Sequence, residues 1–364
     1  MTSHITLPSP SNDQTYMTVS ALEGGHIDIP VGRFLEGAPK SERNIVPAMA
    51  FLLTHSKTGT KLVFDLGLRK NIETFPTVIQ KNIRDIMPVR VDQDVSDSLI
   101  KGGVNPISDI PYVILSHLHF DHIGDASLFP NSTFIIGGGS RKLLKDPYPQ
   151  NPNSGFHIDC VPNDGRTRFL DDSDFSTTIG DFPRAYDFFN DGSLYIIDAH
   201  GHLDGHINVL ARTSPTGGWI YLGGDTCHDL RQFEGGGFAC ERNEKGEVIY
   251  CAYSDIHAAG VHLDRVKGLR KMKEDSISTL SGNGKALKKL EADPENSHLE
   301  TPAMMNAIYY EKVRISSPDL EEINIALRRL FSLGFLKCAQ YLFRRYPILK
   351  SYSKYLVVIE RKHN

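Results

Sequence analysis

The sequence has no uninterrupted apolar run near the ~18 residues that a membrane-spanning helix needs, so we expect no transmembrane segment. Its first residues, MTSHITLPSPSNDQTYM, carry neither a basic cluster nor an apolar stretch, which predicts no secretory signal peptide. Cysteine is scarce: the chain has 5 in 364 residues, an odd number with long spacings and no CxxC pair. We therefore expect free thiols in a reducing compartment rather than a disulfide framework, and a cytoplasmic location.

A strong charge of one sign is also missing. The formal net charge is -4, and no long basic block precedes the C-terminal region, so we expect no nucleic-acid partner for the main body of the chain. Apolar residues make up 40% and charged residues 23% of the sequence, which is ordinary for a globular protein. At 364 residues the chain is long enough to bury a sizeable core.

The composition changes twice along the chain and predicts three parts. Residues 1–14 are a polar tail rich in Ser and Pro, residues 15–300 are the main domain, and residues 301–364 are a basic, aromatic, helical extension. Within the main domain, short apolar runs such as IPYVILSH and WIYLGGDT predict strands, with turns and occasional helices between them. This pattern predicts an α/β fold of stacked sheets with helices outside.

The most informative stretch is ILSHLHFDHIGD, at 114–125, where three histidines and two aspartates follow an apolar run. His117 and His119 are two residues apart at the end of a predicted strand, so their side chains point to the same side and can reach one ion. If the chain turns into a helix after them, Asp121 and His122 reach a neighbouring position and can hold a second ion. Imidazole and carboxylate are ligands that Zn²⁺ accepts, so the stretch predicts a metal site.

This motif, HLHFDH, resembles the HxHxDH motif of the metallo-β-lactamase superfamily. The resemblance covers roughly residues 45–230 and implies an αββα sandwich with a one- or two-metal site at one edge of the sheets. GHLDGH matches a later family motif and implies His202 as a metal ligand. GGDT implies Asp225 in the position that bridges two ions, and FDLG implies that Asp65 supports the metal loop without binding metal.

The resemblance thus implies six ligands for two zinc ions: His117, His119, Asp121, His122, His202 and Asp225. His206 is expected to support the site rather than to ligate. His200 lies beside the matched histidine, but its spacing is wrong for the family.

The chain departs from the family where a late hydrophobic strand usually supplies one more histidine to the second ion. KKLEADPENSHLETPAMM occupies that place and contains no apolar strand. His298, His257 and His262 are the candidates for this ligand, and the remaining alternative is that the chain has none. The sequence around His257 and His262 predicts a loop followed by a helix. Without it the second ion would be held more weakly.

The implied reaction is hydrolysis by a metal-bound hydroxide that attacks a carbonyl carbon. Asp121 is expected to bind the second ion and also to accept and return a proton. His228 lies three residues after Asp225, where quorum lactonases have a tyrosine that contacts the substrate carbonyl, and is the second catalytic candidate. The sequence contains no GxSxG elbow that would compete for the role of nucleophile.

GGDTCH resembles the lactonase-like and fungal lactamase branch, which implies a small-molecule substrate with a cyclic ester or amide, in secondary metabolism or xenobiotic detoxification. A thioesterase, either glyoxalase-II-like or acting on carrier-protein-bound polyketides, is the first alternative. A degenerate scaffold without activity is the second. A nuclease is disfavoured by the net charge of -4. The extension is expected to cover the site or to form a homodimer, and an altered or degenerate C-terminus is the alternative. For its basic, aromatic helix, packing on the domain or on a partner subunit is favoured over a membrane surface.

Overall fold

The computed structural model describes residues 7–281 and 356–359, with side chains described for 7–269. The first sheet is built from the strands β1 (Met17–Pro30), β2 (Arg43–His55), β3 (Lys61–Phe64), β4 (Val89–Arg90), β5 (Tyr112–Ile114), β6 (Thr133–Gly137) and β7 (Thr167–Leu170). Among the described residues its strand order is β4-β1-β2-β3-β5-β6-β7. The first strands pair antiparallel, whereas β3, β5, β6 and β7 run parallel, so the loops after β3 and β5 leave the same edge.

The second sheet is antiparallel. It contains β8 (Thr177–Ile179), β9 (Phe182–Asp187), β10 (Leu194–Asp198), β11 (Ile207–Arg212), β12 (Trp219–Leu222) and β15 (Leu356–Ile359), and a separate hairpin is formed by β13 (Cys240–Arg242) and β14 (Val248–Cys251). The described helices are α1 (Thr77–Asp85), α2 (Val95–Lys101), α3 (Leu230–Phe233) and α4 (Ile256–Ser281). Every residue of β11 and β12 is buried, which requires that both faces of this sheet are covered.

Three apolar layers show what covers these faces. Between the sheets, Phe51 and Phe64 of the first sheet pack in one cluster with Val209 of the second. On the outer face of the first sheet, residues of α1 and α2 complete another cluster. On the outer face of the second sheet, Leu269 of α4 packs in a third cluster. The layers therefore follow the order helix, sheet, sheet, helix, and the predicted α/β class and αββα arrangement are confirmed.

The prediction that the cysteines are all free is wrong for one pair. Cys240 and Cys251 form a disulfide because the antiparallel register of β13 and β14 places them opposite each other. Their sequence separation of 11 gives no such signal without that register. Cys160 is a free, buried thiol, Cys227 is buried, and Cys338 lies outside the described residues.

Parts of the predicted N-terminal tail and C-terminal extension are described in the structure. In the tail 1–14, Leu7 is buried, and the carbonyl oxygen of Pro8 accepts a hydrogen bond from Arg212 of β11 at 3.1 Å. In the extension 301–364, only 356–359 is described, and there the chain adds a strand to the second sheet beside β12. Nowhere in the described part of the chain is a helix long and apolar enough to cross a membrane.

Candidate metal centre

The candidate metal centre lies where loops from both sheets meet. His117, His119, Asp121 and His122 follow β5 of the first sheet, in a turn rather than in the helix that we expected. The turn is closed by a hydrogen bond from the backbone N–H of His122 to the carbonyl oxygen of His119 at 3.0 Å. From the second sheet, His202 follows β10 and Asp225 follows β12. The structure therefore brings together all six residues that the sequence predicted as ligands: His117, His119, Asp121, His122, His202 and Asp225.

Four of these residues form one donor group. His119 Nδ1 lies 2.9 Å from both His117 Nε2 and His202 Nε2, and the latter two atoms are 3.2 Å apart. Asp225 Oδ2 lies 3.2 Å from His202 Nε2 and 3.6 Å from His117 Nε2. A tetrahedral zinc with bonds of about 2.0–2.1 Å separates its ligand atoms by roughly 3.3 Å, so the four atoms have the spacing of a zinc site.

The other carboxylate oxygen of Asp225 belongs to a second donor group. Its Oδ1 lies 3.3 Å from His122 Nε2, and Asp121 Oδ2 lies 3.7 Å from the same nitrogen. In each group the donor atoms are within 4.8 Å of one another. Asp225 thus offers one oxygen to each group, which is the arrangement of a carboxylate that bridges two ions.

The three imidazoles of the first group cannot all satisfy one another by hydrogen bonds. Three ring nitrogens, one each from His117, His119 and His202, approach one another to 2.9–3.2 Å, and a proton can be shared by only two of them at a time. The lone pair of the third nitrogen would face its neighbours without a partner. A cation at the centre satisfies all three, so the residues present fit a bound metal ion.

Burial and charge set the protonation of the donors. Burial holds the pKa of the fully enclosed His117 well below its usual value, which keeps the imidazole neutral and able to ligate. For His122 the effect of burial is outweighed by the carboxylates of Asp225, Asp121 and Asp65, and its pKa lies well above the usual value. For Asp225 the effect of burial is outweighed by neighbouring imidazoles, His122 first, and its pKa is well below the usual value. The centre therefore holds an ionised carboxylate that a cation can bridge.

Asp65 fixes the orientation of the second group without joining it. One of its carboxylate oxygens lies 2.8 Å from His122 Nδ1, which leaves His122 Nε2 to face Asp121 and Asp225. The backbone N–H of Ser116 donates to the other oxygen at 2.6 Å. An outer carboxylate of this kind holds a ligating imidazole in one orientation. Asp65 thus lies where the family resemblance predicted a supporting residue.

His228, the second predicted catalytic residue, borders the centre. Its Nε2 lies 3.1 Å from Asp225 Oδ2, and its ring stacks on Phe34 with a centroid distance of 4.3 Å. His206 instead bonds the carbonyl oxygen of Ala199 through Nδ1 at 2.9 Å, in keeping with a supporting role. The side chain of His200 is largely exposed and lies 3.5 Å from Asp198, outside both donor groups.

The histidines considered as the last ligand do not reach the centre where they are described. His262 is buried on the outer face of the second sheet, with its Nε2 2.7 Å from the hydroxyl oxygen of Tyr221. His257 is exposed near the start of α4. Both lie on α4, which packs against the outer face of the sheet and carries them away from the donor groups. His298 lies outside the described residues.

Sequence reasoning missed Tyr253, whose hydroxyl oxygen lies 2.7 Å from His228 Nδ1. It follows β14 and stands 25 residues from His228 in sequence. No motif marks it. Phe34, also unpredicted, comes from the chain between β1 and β2.

Comparison with known proteins identifies the family to which the chain belongs. Residues 104–213 match the Metallo-beta-lactamase superfamily. The chain is 37% identical over 177 residues to "Gamma-lactamase MBL2" of Gibberella moniliformis, covering 47% of this chain and 72% of that protein. It is 38% identical over 192 residues to "Cytochrome P450 monooxygenase mpaDE" of Penicillium brevicompactum, covering 50% of this chain but only 22% of the length of that relative.

A solved structure agrees at the level of the fold. An N-acyl homoserine lactone hydrolase, with the product N-hexanoyl-L-homoserine at its catalytic metal centre, aligns with a TM-score of 0.53 and 16% identity. The alignment covers 72% of this chain and 91% of that chain. The sequence matches, the αββα layering and the HxHxDH donor groups lead to one conclusion: this chain belongs to the metallo-β-lactamase superfamily.

Proposed function

We propose that this protein is a zinc-dependent hydrolase that opens a small cyclic ester or amide, in secondary metabolism or in detoxification of foreign compounds. The observation that carries the proposal is the pair of donor groups that share Asp225. His117, His119 and His202 would hold one zinc ion, Asp121 and His122 would hold the other, and Asp225 would bridge them. Zinc bound in such a site activates water and polarises a carbonyl oxygen.

Asp121 is the donor best placed to move a proton. Its side chain is 21% exposed, whereas those of His122 and Asp225 are 6% and 8% exposed. A carboxylate at the open side of the centre can reach both water and a bound substrate. We assign to Asp121 the acceptance of a proton from the attacking water and its return to the leaving group.

His228 is the second residue that we expect to touch the substrate. Its Nε2 lies 3.1 Å from Asp225 Oδ2 while Nδ1 faces the tyrosine, so Nε2 lies beside the carboxylate that the two donor groups share. A donor at this place stabilises a carbonyl oxygen that gains negative charge during attack. The stacked Phe34 keeps the imidazole in place and makes that wall of the site apolar.

Relatives support the class of substrate. The chain resembles a protein named as a γ-lactamase over 72% of that protein's length, which favours opening of a cyclic amide. The shared fold with a hydrolase of acyl homoserine lactones is compatible with a cyclic ester in the same kind of site. Both substrates are small rings with a carbonyl carbon open to attack, so one site can serve either.

The proposal is tested by metal analysis and by hydrolysis of a lactone, a γ-lactam and a thioester. We expect about two zinc ions per chain, ring opening of the lactone or the lactam, and a fall in kcat of about 10²–10⁴-fold in Asp121→Ala. His200→Ala is the matched control, because His200 is exposed beside the ligand loop, and it should keep full activity. A protein without metal, or an active Asp121→Ala, would refute the proposal. Preference for the thioester would assign the chain to the thioesterases.

A further inference from the structure

His228 is held by buried groups at Nδ1, at its backbone N–H and on one face of its ring. Its Nδ1 lies 2.7 Å from the hydroxyl oxygen of Tyr253, and its backbone N–H donates to Gln232 Oε1 at 2.8 Å. The ring stacks on Phe34, as described above. His228 is 8% exposed, Tyr253 2% and Gln232 0%. The imidazole therefore has one orientation, with Nδ1 toward Tyr253 and Nε2 toward Asp225.

The contacts at Nδ1 select one tautomer. Burial raises the pKa of Tyr253 well above its usual value, so the phenol keeps its proton and can donate. The hydroxyl lies 2.7 Å from His228 Nδ1 and can donate its proton to this nitrogen, which then acts as the acceptor.

The contact at the other nitrogen favours the same tautomer. Nε2 lies 3.1 Å from Asp225 Oδ2, and a lone pair on Nε2 would face the lone pairs of an ionised carboxylate. A proton on Nε2 removes that repulsion. The two ends of the imidazole thus agree: Nδ1 accepts and Nε2 carries the hydrogen.

We propose that Tyr253 is a positioning residue that holds His228 in the Nε2–H tautomer, so that the Nε2 hydrogen is shared between Asp225 and a substrate oxygen bound beside it. In this state His228 is neither a general base nor a further metal ligand through Nε2. The role toward substrate rests on the proposed function. The tautomer itself does not, because it is measured without substrate.

The first experiment is NMR of the ¹⁵N-labelled imidazole in the metal-free and zinc-loaded protein at neutral pH. His228→Gln identifies the signals by their loss. We expect a protonated Nε2 and an unprotonated Nδ1 that accepts a hydrogen bond, in both states. In Tyr253→Phe we expect a mixture of tautomers. Tyr221→Phe is the matched control, because it removes the same kind of buried phenol–imidazole contact, to His262, and should leave the His228 signals unchanged.

The second experiment separates positioning from structure through kinetics. Because the donor acts on charge that develops in the transition state, Tyr253→Phe should lower kcat about tenfold and change KM by less than about twofold. A proton on Nδ1 in wild type, or an unprotonated Nε2 in the zinc-loaded protein, would overturn the proposal. So would Tyr253→Phe with an unchanged tautomer. If the expected tautomer is found but no ring is opened, the proposed function fails and this inference about Tyr253 stands.

Discussion

Asp65 determines which nitrogen of His122 faces the metal centre. Its carboxylate contacts His122 Nδ1 at 2.8 Å and accepts the Ser116 backbone N–H at 2.6 Å. Its backbone has a φ of 60°, in the left-handed region that aspartate and asparagine adopt more readily than most residues. Residue 65 therefore needs both a side chain of this size and a left-handed backbone conformation. Asparagine keeps the size and adopts this conformation, so Asp65→Asn removes mainly the negative charge.

We expect Asp65→Asn to weaken binding of the second zinc ion by about 10–100-fold, because the amide cannot accept from His122 Nδ1 as strongly as the carboxylate does. Competition with a chromophoric chelator measures both binding steps, and the first should change much less. Asp125→Asn is the matched control, since Asp125 lies on the loop that carries His122 but bonds Ser127 instead of a metal donor. Equal zinc affinities in wild type and Asp65→Asn would show that Asp65 does not orient His122.

At the residue scale, the local donors were predictable and the distant neighbours were not. His117, His119, Asp121 and His122 could be read from one short stretch because strand geometry and spacing put them together. The neighbour Tyr253 could not, because its contact with His228 depends on where the β13–β14 hairpin lies. The Cys240–Cys251 disulfide was missed for the same reason, since the register of that hairpin is not visible in the spacing of the cysteines.

At the scale of elements, α4 shows why a helix can be predicted while its contacts cannot. The sequence suggested a loop and then a helix around His257 and His262, and α4 begins at Ile256. Its packing face was not predictable, because that face depends on the position of the second sheet. The structure turns His262 onto the outer face of β12, where Tyr221 holds it, and leaves His257 in solvent.

This packing predicts a pH dependence of stability. Burial lowers the pKa of His262 from 6.5 to about 3. The positive charge of Arg265 and the imidazole of His200 add to this decrease, whereas Asp198 opposes it. As the pH falls below 6.5, His262 takes up a proton in the unfolded chain but stays neutral in the folded protein. The free energy of unfolding is therefore highest above pH 6.5 and decreases as the pH falls toward 3. Between pH 7 and pH 5 the loss from this residue is about 2 kcal/mol.

Urea denaturation at pH 7 and pH 5 tests this expectation. His262→Gln keeps a polar partner for Tyr221 but cannot titrate, so its stability should fall less than that of wild type over the same interval. His257→Gln removes an exposed histidine from the same helix and should keep the wild-type change. If His262→Gln loses as much stability as wild type, burial of His262 does not produce the pH dependence.

At the scale of the whole molecule, the candidate centre connects the two sheets. The first sheet supplies His117, His119, Asp121 and His122 through the loop after β5, and the second supplies His202 and Asp225 through the loops after β10 and β12. The family resemblance implied a site at one edge of the sheets, but it did not predict which sheet supplies which ligand. A homodimer and a cytoplasmic location stay predictions.

An ion held by donors from both sheets would stabilise the packing of the two sheets in addition to taking part in the reaction.

We therefore expect zinc to stabilise the folded protein. A ligand that binds only the folded state adds about 2.7 kcal/mol when its free concentration is 100 times its Kd. The urea midpoint should accordingly be higher in a zinc buffer than in a chelator. Asp225→Asn removes the charge shared by both donor groups and should lose most of the difference, while His200→Gln, from the exposed histidine next to the ligand loop, should keep it. Equal midpoints with zinc and with chelator in wild type would mean that no ion connects the sheets.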